Sequence, residues 1–312
     1  MRIAILGATS QIAKDLVLSF SKSNVHELVL FARRPTVVTE WLTLVLLLDR
    51  YPVADFESFN LDENFDAIIN FVGSGNPAQT SAMGALIFDV TSKYDELALE
   101  YQRKHPACRY LFLSSGASYG FNFDEPVDEK SKGVIAINRL LPQDWYAVAK
   151  MYAECRHRSM SHLPIVDLRV FNYFSHTQDM SARFFITDIL RAIQSDTTLQ
   201  TSSDNIVRDY IGPADFSRLV SLILESPATN DVVDCYTRAP VEKMTLLASM
   251  SERFGLRYEV LNASAGVNAT GLKFKYFSRN RRAEIFQYFP SKKSLENVLD
   301  EAELVLTGCA NS

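Results

Sequence analysis

The chain has 312 residues, 47% of them apolar and 22% charged, which suits two domains or one large α/β unit and excludes wholesale disorder. Its net charge of -5, from 32 basic and 37 acidic side chains, argues against a nucleic-acid partner, because phosphate binding needs a basic surface. The longest apolar run, Trp41 to Leu48, is too short to span a bilayer, and Cys108, Cys155, Cys235 and Cys309 show neither disulfide-framework nor zinc spacing.

The first apolar segment, Arg2–Leu6, runs straight into Gly7 and reads as a strand, not a secretion signal, so a soluble cytoplasmic protein with no membrane contact is expected. It ends in Gly7-Ala8-Thr9-Ser10-Gln11-Ile12-Ala13, and a helix is predicted over 12–23. In such a strand–turn–helix, backbone N–H groups and a helix N-terminus receive a pyrophosphate. Gly7 supplies the tight turn. Ser10 stands where a close-approach glycine is usual, and Ala13 where a third glycine packs helix on strand. Gly7, Ser10, Gln11 and Ile12 are therefore candidate cofactor contacts, with a plain strand-to-helix turn as the alternative reading.

A second strand, 27–32, ends in Phe31-Ala32-Arg33-Arg34. An NAD-binding chain usually places Asp or Glu there for the ribose 2′-hydroxyl. Two guanidinium groups suit a 2′-phosphate instead, so Arg33 and Arg34 point to NADP(H), with NAD(H) as the alternative and two solvated arginines as the bland reading. Strands are also predicted at 53–59, 67–72, 110–114 and 165–171, with a helix at 89–104. That alternation predicts a parallel sheet buried on both faces.

The strand at 110–114 runs into Ser114-Ser115-Gly116-Ala117, and a hydroxyl at that end of a strand faces a cofactor crevice. Tyr146 and Lys150 lie one helical turn apart. A lysine ammonium near a phenol lowers the phenol's pKa, which suits proton exchange with a carbinol. Beyond Asn172 the pattern loosens, with helices predicted at 182–194, Pro213–Glu225 and Lys243–Phe254.

With these motifs in order, the chain resembles an extended short-chain dehydrogenase/reductase of the NAD(P)-dependent epimerase/dehydratase family. The residues that carry the likeness are the Gly7 loop, Asp66-Ala67-Ile68-Ile69-Asn70-Phe71-Val72-Gly73, Ser115 and Tyr146/Lys150. It continues through Leu168-Arg169-Val170-Phe171-Asn172, Arg208-Asp209-Tyr210-Ile211 and the tail from Ser278 to Pro290. The resemblance implies a Rossmann-type, doubly wound parallel sheet over 1–171. It implies a smaller α/β substrate region over 172–312, partly interleaved with the first, and leaves room for a homodimer. It makes Ser115, Tyr146 and Lys150 catalytic, with Tyr146 the acid/base and Lys150 also on the nicotinamide ribose. Further cofactor contacts follow at Asn60, Leu61, Phe71, Val72, Gly73 and Phe171, and contacts to a nucleotide-diphospho-sugar at Ser115, Gly116, Asn172 and Arg208.

Family dehydratases follow the catalytic hydroxyl with Asp and Glu. Gly116 and Ala117 can do neither job, which argues against dehydration. Reduction of a nucleotide-linked 4-keto sugar by NADPH is expected on the strength of Arg33 and Arg34. Epimerisation with a held NAD is the alternative, and a non-catalytic cofactor-binding protein is the third reading. The five histidines lack metal-ligand spacing, and only His176, close after Asn172, is a candidate to line the sugar pocket.

Overall fold

The computed structural model describes residues 1–73, 75, 80, 82–120, 122–261 and 273–308. Apolar runs become strands and the amphipathic stretches between them become covering helices. The first half contains β1 (Arg2–Leu6), α1 (Gln11–Ser23), β2 (Glu27–Phe31), α2 (Pro35–Leu44), β3 (Val53–Ala54) and β4 (Ala67–Asn70). It continues with α3 (Leu86–Lys104), β5 (Arg109–Ser115), α4 (Trp145–Ser159) and β6 (Ile165–Val170). The second half holds β7 (Asn172–Tyr173), α5 (Phe185–Gln194), β8 (Thr198–Ser202), β9 (Val207–Arg208), β10 (Tyr210–Ile211) and α6 (Pro213–Glu225). It closes with β11 (Asp231–Asp234), β12 (Val241–Glu242), α7 (Lys243–Phe254), β13 (Arg257–Leu261), β14 (Lys275–Tyr276) and α8 (Ser294–Thr307).

Seven strands form one parallel sheet in the order β11-β6-β5-β4-β1-β2-β3, the Rossmann-type α/β architecture expected. Alternate residues of β1 serve opposite faces: Ile3 and Ile5 join the cluster with Leu16, Phe216 and Leu219, while Ala4 and Leu6 join Leu99, Tyr110 and Phe112. Burial on both faces is why these strands read as continuous apolar runs. The chain moves outward from β1 through β2 to β3, then crosses back to place β4 on the other side of β1. That reversal opens a crevice at the carboxyl ends of β1 and β4, where such sheets bind ligands.

The strand expected over 67–72 stops at Asn70, other strand bounds differ by at most one residue, and two larger departures stand out. The strand expected over 53–59 pairs with β2 only at Val53 and Ala54, because Asp55 then closes a turn by accepting from the Ser58 amide at 2.8 Å. β11 comes from the second half of the chain yet forms an edge of the main sheet against β6. The remaining small sheets, β10-β7, β12-β9-β14 and β13-β8, accompany a third core of Phe174, Ile189, Leu190, Leu247, Met250 and Val298. Asp15 of α1 joins the two regions by accepting from Tyr173 (2.8 Å), Ser175 (2.7 Å) and Thr177 (2.7 Å). Among the described residues no helix is long and apolar enough to cross a membrane.

Candidate functional site

The β1–α1 turn has the shape a dinucleotide pyrophosphate requires. Gly7 adopts φ +82°, and a Cβ there would stand 2.9 Å from both the Phe71 carbonyl carbon and the Val72 nitrogen. Only glycine allows β1 and β4 to approach so closely. Ser10 gives α1 no side-chain cap, so the first-turn amides of Gln11 and Ile12 are left for an anion. The side chains do something else: Gln11 Nε2 donates to Ser175 Oγ at 2.8 Å, and Ile12 packs on the core.

Arg33 and Arg34 are both exposed at the end of β2, and neither joins an ion pair among the described residues. On the neighbouring turns, Asn60 is exposed and its Oδ1 accepts from the Asp62 amide at 2.9 Å. Leu61 packs on the second core face. Beyond β4, Phe71 is buried, the Val72 amide donates to Asn70 Oδ1 at 2.9 Å, and Gly73 is exposed. These backbone turns fit a dinucleotide lying across the crevice.

The candidate trio meets at the carboxyl end of β5. Ser115 closes that strand, and its Oγ accepts from the Ala117 amide at 3.2 Å, the start of a short 3-10 turn. α4 brings Tyr146 to Ser115, whose hydrogen bond lowers the Tyr146 pKa against the larger opposing effect of burial, which raises it. Lys150, one turn on, donates to the Leu113 carbonyl at 2.7 Å, and its Nζ stands 5.9 Å from the Tyr146 ring centre. Burial thus holds the resting Tyr146 above its ordinary pKa, contrary to the direction expected from the Tyr–Lys spacing alone. Burial also lowers Lys150 to about 8, opposed by Asp95, Glu154 and Asp167. A Cβ placed on Gly73 would lie 3.7 Å from Lys150 Nζ, so the ammonium faces the β4 turn.

Beneath Ser115 lies a buried charge network that the sequence reading did not single out. Arg169 of β6 donates to Glu154 from Nε (3.0 Å) and Nη2 (2.5 Å) and stands 4.3 Å from the Tyr119 ring centre. Glu154 also accepts from Ser114, while Asp234 accepts from Tyr119 at 3.0 Å and Ser278 at 2.5 Å. These bonds fix the backbone that carries Ser115. The one usable signal was Glu154 at eight residues from Tyr146, on the same helix face.

The opposite wall comes from the second half. Tyr276 of β14 is buried, its hydroxyl 3.3 Å from Ser115 Oγ and its ring 5.1 Å from that of Phe171. Phe171 belongs to this wall: a Cβ on Gly116 would fall 2.4 Å from Phe171 Cδ1, so Gly116 makes room for the ring. Asn172 Nδ2 donates to the Tyr276 carbonyl at 3.3 Å and the Asp209 carbonyl at 3.4 Å, tying β7 to β14. Arg208 donates to the carbonyls of Val207 (2.8 Å) and Phe274 (3.4 Å), and burial lowers its pKa. His176 is not in the pocket; it bonds Glu301 Oε2 at 2.7 Å from Nδ1.

The whole fold has solved counterparts. At 16% identity and a TM-score of 0.79, UDP-glucuronic acid 4-epimerase from Bacillus cereus, in complex with UDP-glucuronic acid and NAD, matches 99% of this chain and 100% of its own. The Thermotoga maritima UDP-glucose 4-epimerase with UDP-glucose matches the same shares at 16% identity and a TM-score of 0.78. That of Bifidobacterium longum, in complex with NAD+ and UDP, covers 100% and 99% at 16% identity and a TM-score of 0.76. No curated protein matches the chain. The family model for NAD dependent epimerase/dehydratases matches residues 3–236, three quarters of the sequence, and the chain belongs to that family.

Proposed function

We propose that the protein inverts one carbon of a nucleotide-diphospho-sugar with a held NAD, as an epimerase. The observation that carries this reading is the trio of Ser115, Tyr146 and Lys150, with the Tyr276 ring between Ser115 and Arg208, a desolvated guanidinium that joins no ion pair among the described residues. A nicotinamide dinucleotide at the β1–α1 turn would supply the hydride acceptor and donor. The Gly7 turn and the first amides of α1 would hold its pyrophosphate, and Lys150 its nicotinamide ribose. Tyr146 takes the proton of a sugar hydroxyl as that carbon is oxidised and returns it on reduction. Ser115 bonds the same oxygen, and the Lys150 charge favours the phenolate when Tyr146 acts as base. The UDP-sugars and NAD bound in the solved counterparts support this substrate class and this cofactor.

A second reading keeps a specific observation behind it. The end of β2 offers no acid to a ribose 2′-hydroxyl, only the exposed and unpaired Arg33 and Arg34. That favours NADPH and, with it, reduction of a nucleotide-linked 4-keto sugar. Denaturing the purified protein and identifying the released dinucleotide separates the two, together with incubation with UDP-glucose and UDP-glucuronic acid. Stoichiometric NAD and formation of a C4 epimer without net change in nicotinamide absorbance is the expected result. A cofactor-free protein that consumes NADPH on a 4-keto sugar overturns the epimerase in favour of the reductase.

A further inference from the structure

Two phenols meet one serine hydroxyl. The Tyr276 hydroxyl stands 3.3 Å from Ser115 Oγ, and Tyr146 reaches the same oxygen from α4. Their surroundings differ. Tyr276 is buried, its ring centre 4.6 Å from that of Phe123 and 5.1 Å from that of Phe171. Its backbone is fixed by the pairing of β14 with β9 and by Asn172 Nδ2, which donates to its carbonyl at 3.3 Å. Tyr146 is half-buried, so its proton can go to solvent or to a ligand.

Counting donors and acceptors sets the direction of each bond. Among the described residues, Ser115 Oγ is the one acceptor that the Tyr276 hydroxyl meets. Burial keeps this phenol protonated, well above its ordinary range. A buried O–H without an acceptor is costly, so Tyr276 donates to Ser115. The Ala117 amide donates to the same oxygen at 3.2 Å. A serine hydroxyl has two lone pairs and one proton. Both lone pairs are then taken, and the Ser115 proton is left for Tyr146 or for a ligand oxygen. Without the Tyr276 hydroxyl, Ser115 could accept the Tyr146 proton instead, which stabilises the neutral phenol and opposes a phenolate. We infer that Tyr276 is a positioning residue: by donating to Ser115 Oγ it commits the Ser115 proton to the oxygen of Tyr146 and to the sugar oxygen that Tyr146 serves. Tyr276 itself exchanges no proton with the sugar. The part that concerns the sugar rests on the function proposed above; the direction of the hydrogen bonds does not.

Two measurements on the full-length protein test this role. Tyr276→Phe keeps the ring against Phe123 and Phe171 and removes only the hydroxyl. The first measurement is the tyrosine Raman doublet, whose intensity ratio distinguishes a phenol that accepts a hydrogen bond from one that donates. It is read for Tyr146 as the difference between a protein and its Tyr146→Phe form, with no sugar added. The ratio shifts from the acceptor side in wild type towards the donor side in Tyr276→Phe. The second measurement is steady-state epimerisation of UDP-glucose. Tyr276→Phe lowers kcat by about 3–10-fold, the loss of one neutral hydrogen bond, and leaves KM nearly unchanged. In a Ser115→Ala background the same substitution costs nothing further, because no serine proton remains to be directed. A doublet that does not move, or an equal loss of kcat in both backgrounds, overturns the positioning role. A doublet that shifts in a protein that turns over no UDP-sugar supports the hydrogen-bond direction and removes the epimerase reading instead.

Discussion

Three neighbours share the hydroxyl of Ser115: the Ala117 amide, Tyr276 and Tyr146. Tyr146 joins a reach to Ser115 with a lysine one turn on in the same helix, which is the arrangement a proton relay needs. Tyr146→Phe keeps the ring and its packing while removing the transferable proton. Turnover should fall by about 10²–10⁴-fold with dinucleotide affinity nearly unchanged, read by steady-state kinetics and calorimetry. Near-normal turnover would remove the phenol from the mechanism. Ser115, Tyr146 and Lys150 were legible because each lies in a local motif, at a strand's end or within one helical turn. Tyr276 was not, because nothing near it in sequence announces a site. Tyr276 reaches Ser115 from 161 positions further along the chain, through the pairing of β14 with β9 and the Asn172 bond to its carbonyl.

One helix, α4, carries two different jobs on one face. Tyr146 and Lys150 serve the crevice, while Glu154 and His157 further along serve the core. His157 is fully buried, with Nε2 at 2.8 Å from Asp95 and Nδ1 at 2.6 Å from Asp167. Burial disfavours its charge, but the two carboxylates prevail and raise its pKa from 6.5 to about 9. The imidazolium therefore contributes stability fully present below about pH 6.5 and lost as pH rises through about 9, roughly 3 kcal/mol at most. His157→Ala should lower the melting temperature markedly at pH 6 and much less at pH 10, since it leaves two buried carboxylates facing each other. A pH-independent loss would show that packing alone is at stake. At this scale Pro213–Glu225 and Lys243–Phe254 form helices with the bounds that their periodicity predicts. β11 escaped because Asp-Val-Val-Asp does not look like a buried strand. Its acids are answered from afar, Asp231 by Arg282 at 2.7 Å and Asp234 by Tyr119 and Ser278.

The chain cannot be cut at residue 171 without damage. β11 edges the main sheet, and α6 covers β1 through Phe216, Leu219 and Val220. A fragment of residues 1–171 would expose the apolar face of α1 and the open edge of β6. It should be insoluble or bind the dye ANS, as measured by sedimentation and fluorescence. A soluble, cooperatively unfolding fragment would contradict this. The same return of the chain orders events during synthesis. The Gly7 turn is made first, yet the sheet that carries it waits for Asp231–Asp234 to leave the ribosome. Until then the nascent chain carries the Gly7 turn on an unfinished sheet, so a chaperone that shields the β6 edge would act between the emergence of Ile165–Val170 and that of Asp231–Asp234. A chain stopped before Asp231 would keep that edge open.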